Sequence, residues 1–235
     1  MLFRIIAGVS LTLAFLLTGC ATNRGMAVLD NPTAVSKPAK PVYLLTVTLR
    51  NPYKTAYQPK LVSVKVQKRI SPENSKTLLF EADPLAKSES ISPVIGNSYL
   101  LRLELEPGDY LILGLNSIGQ SIFTNGVFFT PLEARLMPST PGIYYLGHIE
   151  ATVRERKPNE FRAGPIFPLQ EQGLTGASSG TFEVEISDRW ETDNAKFQTK
   201  FPALSGANVK KTVLPAFERA QIQQWWDKNA FNDVP

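Results

Sequence analysis

From Pro41 onward the chain alternates apolar and polar residues with a period of two. Leu45, Val47 and Leu49 alternate with Thr46 and Thr48, and Val62, Val64 and Val66 with Ser63, Lys65 and Gln67. Tyr99, Leu101, Leu103 and Leu105 alternate with Arg102 and Glu104. Successive side chains of a strand point to opposite faces, so each run predicts a half-buried strand. Thr77 to Phe80 is a weaker candidate. Further strands are expected over 126–130, 142–153 and 181–187, the last with Phe182, Val184 and Ile186 on one face. Between Leu105 and Tyr110 stands Glu106-Pro107-Gly108-Asp109. Proline presets φ for the second position of a turn and glycine accepts positive φ at the third, which predicts a type II-like turn closing a β-hairpin.

Short strands broken by Gly and Pro, without strong helices between them, imply a mainly β fold. The expected form is an antiparallel β-sandwich over 41–204, a barrel being the less favoured closure. After it, 205–235 reads as a C-terminal extension. Pro215 suits the first turn of a helix, and residues 216–228 avoid Gly and Pro. Leu214, Phe217, Ile222, Trp225 and Trp226 share one side, interrupted by Glu218 and Gln221, so a short helix at about 215–228 is expected to dock on the sandwich. Residues 20–40 show no period and are rich in Ala, Thr, Asn, Ser and Pro, which reads as a flexible polar tether.

The first 19 residues form three zones: a start carrying Arg4, an apolar run from Ile5 to Leu17, and a small-residue end. The run is shorter than the roughly 20 residues that cross a bilayer, and the order of zones is that of a cleaved secretory signal. Leu17-Thr18-Gly19-Cys20 resembles the lipobox of bacterial lipoproteins. The resemblance implies cleavage between Gly19 and Cys20, a diacylglycerol on the Cys20 thiol and an N-acyl group, such as palmitate, on the new amine, with no other cofactor. One acyl chain binds a membrane marginally and two hold stably. Ala21, rather than Asp, follows the cysteine. In a two-membrane host the family's sorting rule then implies the periplasmic face of the outer membrane, and otherwise the outer face of the plasma membrane. A second resemblance joins Pro107-Gly108-Asp109-Tyr110 to Pro141-Gly142-Ile143-Tyr144-Tyr145-Leu146-Gly147. Over about 98–153 this is similar to uncharacterised β-sandwich envelope lipoproteins, and it implies no activity.

Cys20 is the single cysteine, so an exported domain must rely on core packing instead of disulfides. The formal charge of +4 becomes +3 once Arg4 leaves with the leader. The basic runs Lys65 to Arg69 and Arg154 to Lys157 read as solvated strand faces or turns, and nucleic acid is not an expected partner. Proline (18) and glycine (15) are scattered without a repeat, as in a turn-rich β protein.

No catalytic constellation or metal site emerges from the residues. Gly176-Ala177-Ser178-Ser179-Gly180 has the letters of a hydrolase elbow, but the elbow needs a strand before the serine and a helix after it. Here a loop with Gly173 precedes and a predicted strand follows. His148 is the single histidine and lies in a strand, so a His/Cys zinc site cannot be assembled. Asp188, Glu191 and Asp193 lack the order of a calcium loop and are expected to cap a helix or face water. Trp225 and Trp226 are the candidate partner-binding residues, for an envelope protein or a glycan, although core packing is the favoured role. The expected function is a non-catalytic binding or scaffolding domain held on a membrane. The alternatives are an anchored carbohydrate-active or hydrolytic enzyme, marked by converging buried carboxylates, and a carrier marked by a closed apolar cavity.

Overall fold

The computed structural model describes residues 21–71, 74–91, 96–121, 124–136, 140–166 and 172–229. The predicted leader and Cys20 lie outside them. The described chain forms a β-sandwich. One sheet holds, in order, β1 (Thr22–Arg24), β4 (Asn74–Glu81), β3 (Lys60–Ser71), β7 (Asp109–Gln120) and β8 (Asn125–Leu136). The other holds β10 (Gly180–Ser187), β9 (Gly142–Glu155), β2 (Pro41–Arg50), β6 (Gly96–Glu104) and β5 (Lys87–Ile91), with β11 (Val209–Lys211) also on β9. Neither sheet closes into a barrel. Both are mixed, because β1–β4, β2–β9 and β9–β11 run parallel where an antiparallel sandwich was expected.

The alternating residues fill the space between the sheets. Leu45, Val47 and Leu49 of β2, Leu101 and Leu103 of β6 and Ile149 of β9 meet Val64 of β3, Phe80 of β4 and Phe128 of β8 in one buried cluster. Each such side chain contributes about 2 kcal/mol on burial. One detail departs from the expected alternation. The β3–β7 pairing skips a residue between Leu61 and Ser63, so Val62 bulges outward into solvent while Ser63 is buried.

The Pro107-Gly108 turn does not close a hairpin. It carries the chain across the core, from β6 between β2 and β5 to β7 between β3 and β8. Both strands direct apolar faces into the same core, so alternation cannot separate a hairpin from an arch between sheets.

The segment expected as a tether is packed instead. β1 pairs with the edge strand β4, and Met26, Ala27, Leu29 and Val35 are buried. Their apolar side chains follow no period because the segment crosses between layers. The Ala27 amide donates to the Arg102 carbonyl at 2.8 Å, on the part of β6 beyond its pairing with β5, so residues 22–29 form a strap linking the two sheets. Asn31 caps a short helix, α1 (Pro32–Ser36), through its side-chain oxygen.

A second apolar layer covers the outside of the β2–β9 sheet. Val42, Leu44, Leu100, Ile143 and Tyr145 pack there against Phe197 and Phe201, at helix α2 (Trp190–Lys200) and its end, and against Leu204 of a following 3-10 turn. Sheets buried on both faces lose the simple in–out alternation. Arg102 shows this: its position in the alternation suggests a solvent-facing residue, yet its side chain is 1% exposed. Its Nε donates to the Ala27 carbonyl at 2.8 Å, Nη2 pairs with Asp83 at 2.5 Å, and the guanidinium lies 4.3 Å from the Phe201 ring centre.

Residues 205–229 are part of the sandwich. β11 joins β9, the Leu214 amide donates to the Leu146 carbonyl at 2.9 Å, and helix α3 (Arg219–Asn229) packs Ile222 and Trp226 into the main core. The helix begins four residues later than expected. Pro215 sits in the extended stretch before it, where Leu214 is still bonded to β9, and the residue before a proline disfavours helix.

Replacing Arg102 by Ala is expected to lower the unfolding free energy by about 3 kcal/mol. That is the low end for breaking a buried ion pair, because the Asp83 side chain keeps a third of its surface in water. Urea denaturation measures the loss, and limited proteolysis should show cleavage within 22–29 that the parent chain resists.

Candidate functional site

A buried polar cluster lies on the outer face of the β2–β9 sheet, beneath α2. A local irregularity assembles it. Leu44 of β2 pairs with Tyr145, but Thr46 pairs with His148, so two residues of β9 oppose Leu45. The extra residue is absorbed at Gly147, whose φ of 106° suits glycine. A Cβ there would stand 3.0 Å from Val213 and 3.1 Å from the Ser187 carbonyl. Residues three apart on a regular strand face opposite ways. Across this bulge, Tyr145 and His148 both point outward, beside Thr46.

Helix α2 supplies the fourth member. Asp188 Oδ1 accepts from the Trp190 amide at 3.0 Å and opens the helix. Asp193 and Phe197, one turn apart, form its buried face, and Trp190 packs on Tyr145 with ring centres 4.9 Å apart. Asp193 is thus neither a cap nor solvated, as expected from sequence; it is 2% exposed. Its Oδ2 accepts from the Tyr145 hydroxyl at 2.6 Å and from the Thr46 hydroxyl.

The tautomer of His148 follows from donor counting. Thr46 has one proton, directed to Asp193, so its oxygen accepts from His148 Nδ1 at 2.9 Å. The bare nitrogen is then Nε2, which is buried with no hydrogen-bond partner among the described residues. Burial, aided by the nearby Arg189 charge, pulls the imidazole down to about 4, against opposing effects of Asp193 and Glu150. The 3.8 Å approach of His148 to Asp193 is therefore not an ion pair at neutral pH. Burial and the bond to Asp193 push the Tyr145 hydroxyl well above its usual value.

At the rim, Glu150 pairs with Arg50 and, at 3.0 Å, with Arg189. Lys211 pairs with Asp188 at 2.8 Å, which together with the Trp190 amide holds the Asp188 carboxyl below its usual range. A cleft of about 400 Å³, lined by Asp188, Arg189, Trp190, Glu191, Thr192 and Lys211, opens at the start of α2. The chain of bonds from imidazole to hydroxyl to carboxylate has the components of a proton relay. All four side chains are nevertheless buried beneath α2, so the arrangement acts as a clamp holding that helix to the sheet.

Among the other sequence candidates, Cys20 and Gly19 lie outside the described residues. Trp226 is buried in the core and Trp225 is half-buried, with ring centres 6.4 Å and 6.1 Å from Phe129. Ser178 lies in turns that precede β10, and no helix follows it. Among the described residues no group of three or more His, Cys, Asp or Glu is placed to hold a metal. Thr46 and Tyr145 carry no sequence signal of their own; the partner they share comes from a helix with almost no apolar stripe. Compared with protein-family models, curated proteins and solved structures, the chain matches none.

Acid should weaken this clamp in a defined window. Between about pH 6.5 and 4 the unfolded chain takes up a proton on His148 that the folded chain refuses, so stability falls as pH drops through that range. Urea midpoints measured from pH 7 to 4 are expected to fall more steeply in the parent protein than in His148→Gln.

Proposed function

We propose that the protein is a bacterial lipoprotein, anchored through Cys20, whose β-sandwich is a non-catalytic binding or scaffolding domain on a membrane face of the cell envelope. One observation carries the reading: Leu17-Thr18-Gly19-Cys20 closes a leader with a cation at Arg4 and an apolar stretch too short to span a bilayer. The first described strand begins at Thr22, two residues beyond that cysteine. Cleavage before Cys20 would therefore keep every described residue.

The body favours binding over chemistry. The polar groups of the His148 cluster are enclosed and bonded to one another, which suits a clamp. Large side chains such as Phe80, Phe128 and Phe182 occupy the space between the sheets, which disfavours a carrier. In a two-membrane host, Ala21 after the cysteine favours the outer membrane, with an envelope protein or a glycan as the partner.

Growth with labelled palmitate tests the anchor. Label is expected on the parent protein and absent from Cys20→Ser, which should leave the membrane fraction; equal labelling of the two overturns it. For the binding role, crosslinking in intact cells should capture a reproducible envelope partner, and repeated recovery of none counts against it.

A further inference from the structure

We infer that the end of the sandwich bearing the β3–β4 hairpin is the face laid on the bilayer, where it takes the anionic headgroups of phospholipids. The inference rests on the lipid-anchor reading and adds an orientation and a lipid chemistry to it.

The position of the anchor follows from strand direction. β1 runs parallel to β4, with Thr22 opposite Leu78 and Arg24 opposite Phe80. β4 leaves the hairpin at Asn74 and runs away from it, so Thr22 is the end of β1 nearer the hairpin. Two residues reach about 7 Å, so a lipid on Cys20 would enter the bilayer within about that distance of Thr22, which stands opposite Leu78. A free tether of 20 residues would reach up to about 70 Å and impose no orientation. With the strap packed, the lipid enters the membrane beside the hairpin.

The side chains at this end suit an anionic surface. The stretch 68–76 carries Lys68, Arg69 and Lys76 against one acidic residue, Glu73. Neighbouring charges are already paired: Lys40 with Glu106 at 2.7 Å and Arg135 with Asp109 at 3.1 Å. Arg24, Lys68, Arg69 and Lys76 form no ion pair among the described residues. Lys40 depresses the Glu106 carboxyl with help from Lys68 and Arg24, which places those cations around the same end. Lys68 also lies over the Tyr110 ring, 5.6 Å from its centre. Next to Arg69, Ile70 is 58% exposed, at the position that the β3–β4 pairing skips. An apolar side chain flanked by cations, close to an acyl anchor, is the composition that enters the headgroup layer of an anionic membrane.

An Ile70→Cys variant of the full lipidated chain provides the test, because acylation at Cys20 leaves residue 70 as the sole free thiol. A polarity-sensitive fluorophore there should shift to the blue in vesicles of phosphatidylcholine and phosphatidylglycerol in equal parts, and be quenched by headgroup spin labels. Adding Lys68→Glu, Arg69→Glu and Lys76→Glu should return the signal to that of water, while the lipid keeps the protein on the vesicles. The same label on an Ala195→Cys variant, on the exposed side of α2, should not respond. No shift at residue 70, an equal shift at residue 195, or an equal shift in pure phosphatidylcholine would each overturn the inference. Failure of the anchor itself is seen separately, as a second labelled thiol per chain and loss of protein from the vesicles.

Discussion

An arginine denied access to water must place five N–H groups and one charge. Arg102 does so by drawing together stretches of chain far apart in sequence. Ala27 of the strap, Asp83 of the link between β4 and β5, and Phe201 at the end of α2 all meet its guanidinium. The strap and the end of α2 also bring Ala27, Leu29, Phe197 and Phe201 into the outer apolar layer. Their placement over the outer face of the second sheet depends on a common polar centre, and this centre gives the sandwich its third layer.

The third layer explains why Leu44, Thr46, Ile143 and Tyr145 are buried on a face where a two-layer sandwich would show water. It meets the sheet through two kinds of contact. Around Phe197 and Leu204 the fit is apolar and indifferent to small shifts. Around Asp193 it is directional, since a carboxylate accepting from two hydroxyls fixes the rotation of α2 as well as its distance from the sheet. The glycine bulge at residue 147 makes this possible by bringing a tyrosine and a histidine to the same side of one strand.

Much of the two-sheet core was legible, because alternation at Leu45, Val47 and Leu49 or at Tyr99, Leu101 and Leu103 is a local property of the chain. Sheet membership was not. The Pro107-Gly108 turn has the same residues whether it joins neighbours or crosses the core, and its strands look alike either way. The packed strap was hidden for another reason: its buried residues, Met26, Ala27, Leu29 and Val35, touch different layers and so have no common period. The site was the least legible part. His148 stood out as the lone histidine, and it does lie in a strand, with its side chain buried. Asp193 looked like one of several surface acids, since a helix with two buried residues barely differs in pattern from a loop.

The parallel register of the short first strand also has a mechanical meaning. A force applied at Ala21 along the strand axis loads the β1–β4 hydrogen bonds side by side, so they must yield together. A force applied from Gly25, across the axis, opens them one after another. Three paired residues thus resist tension from the amino-terminal side far better than lifting from the other, which suits a seam whose load arrives from a single direction.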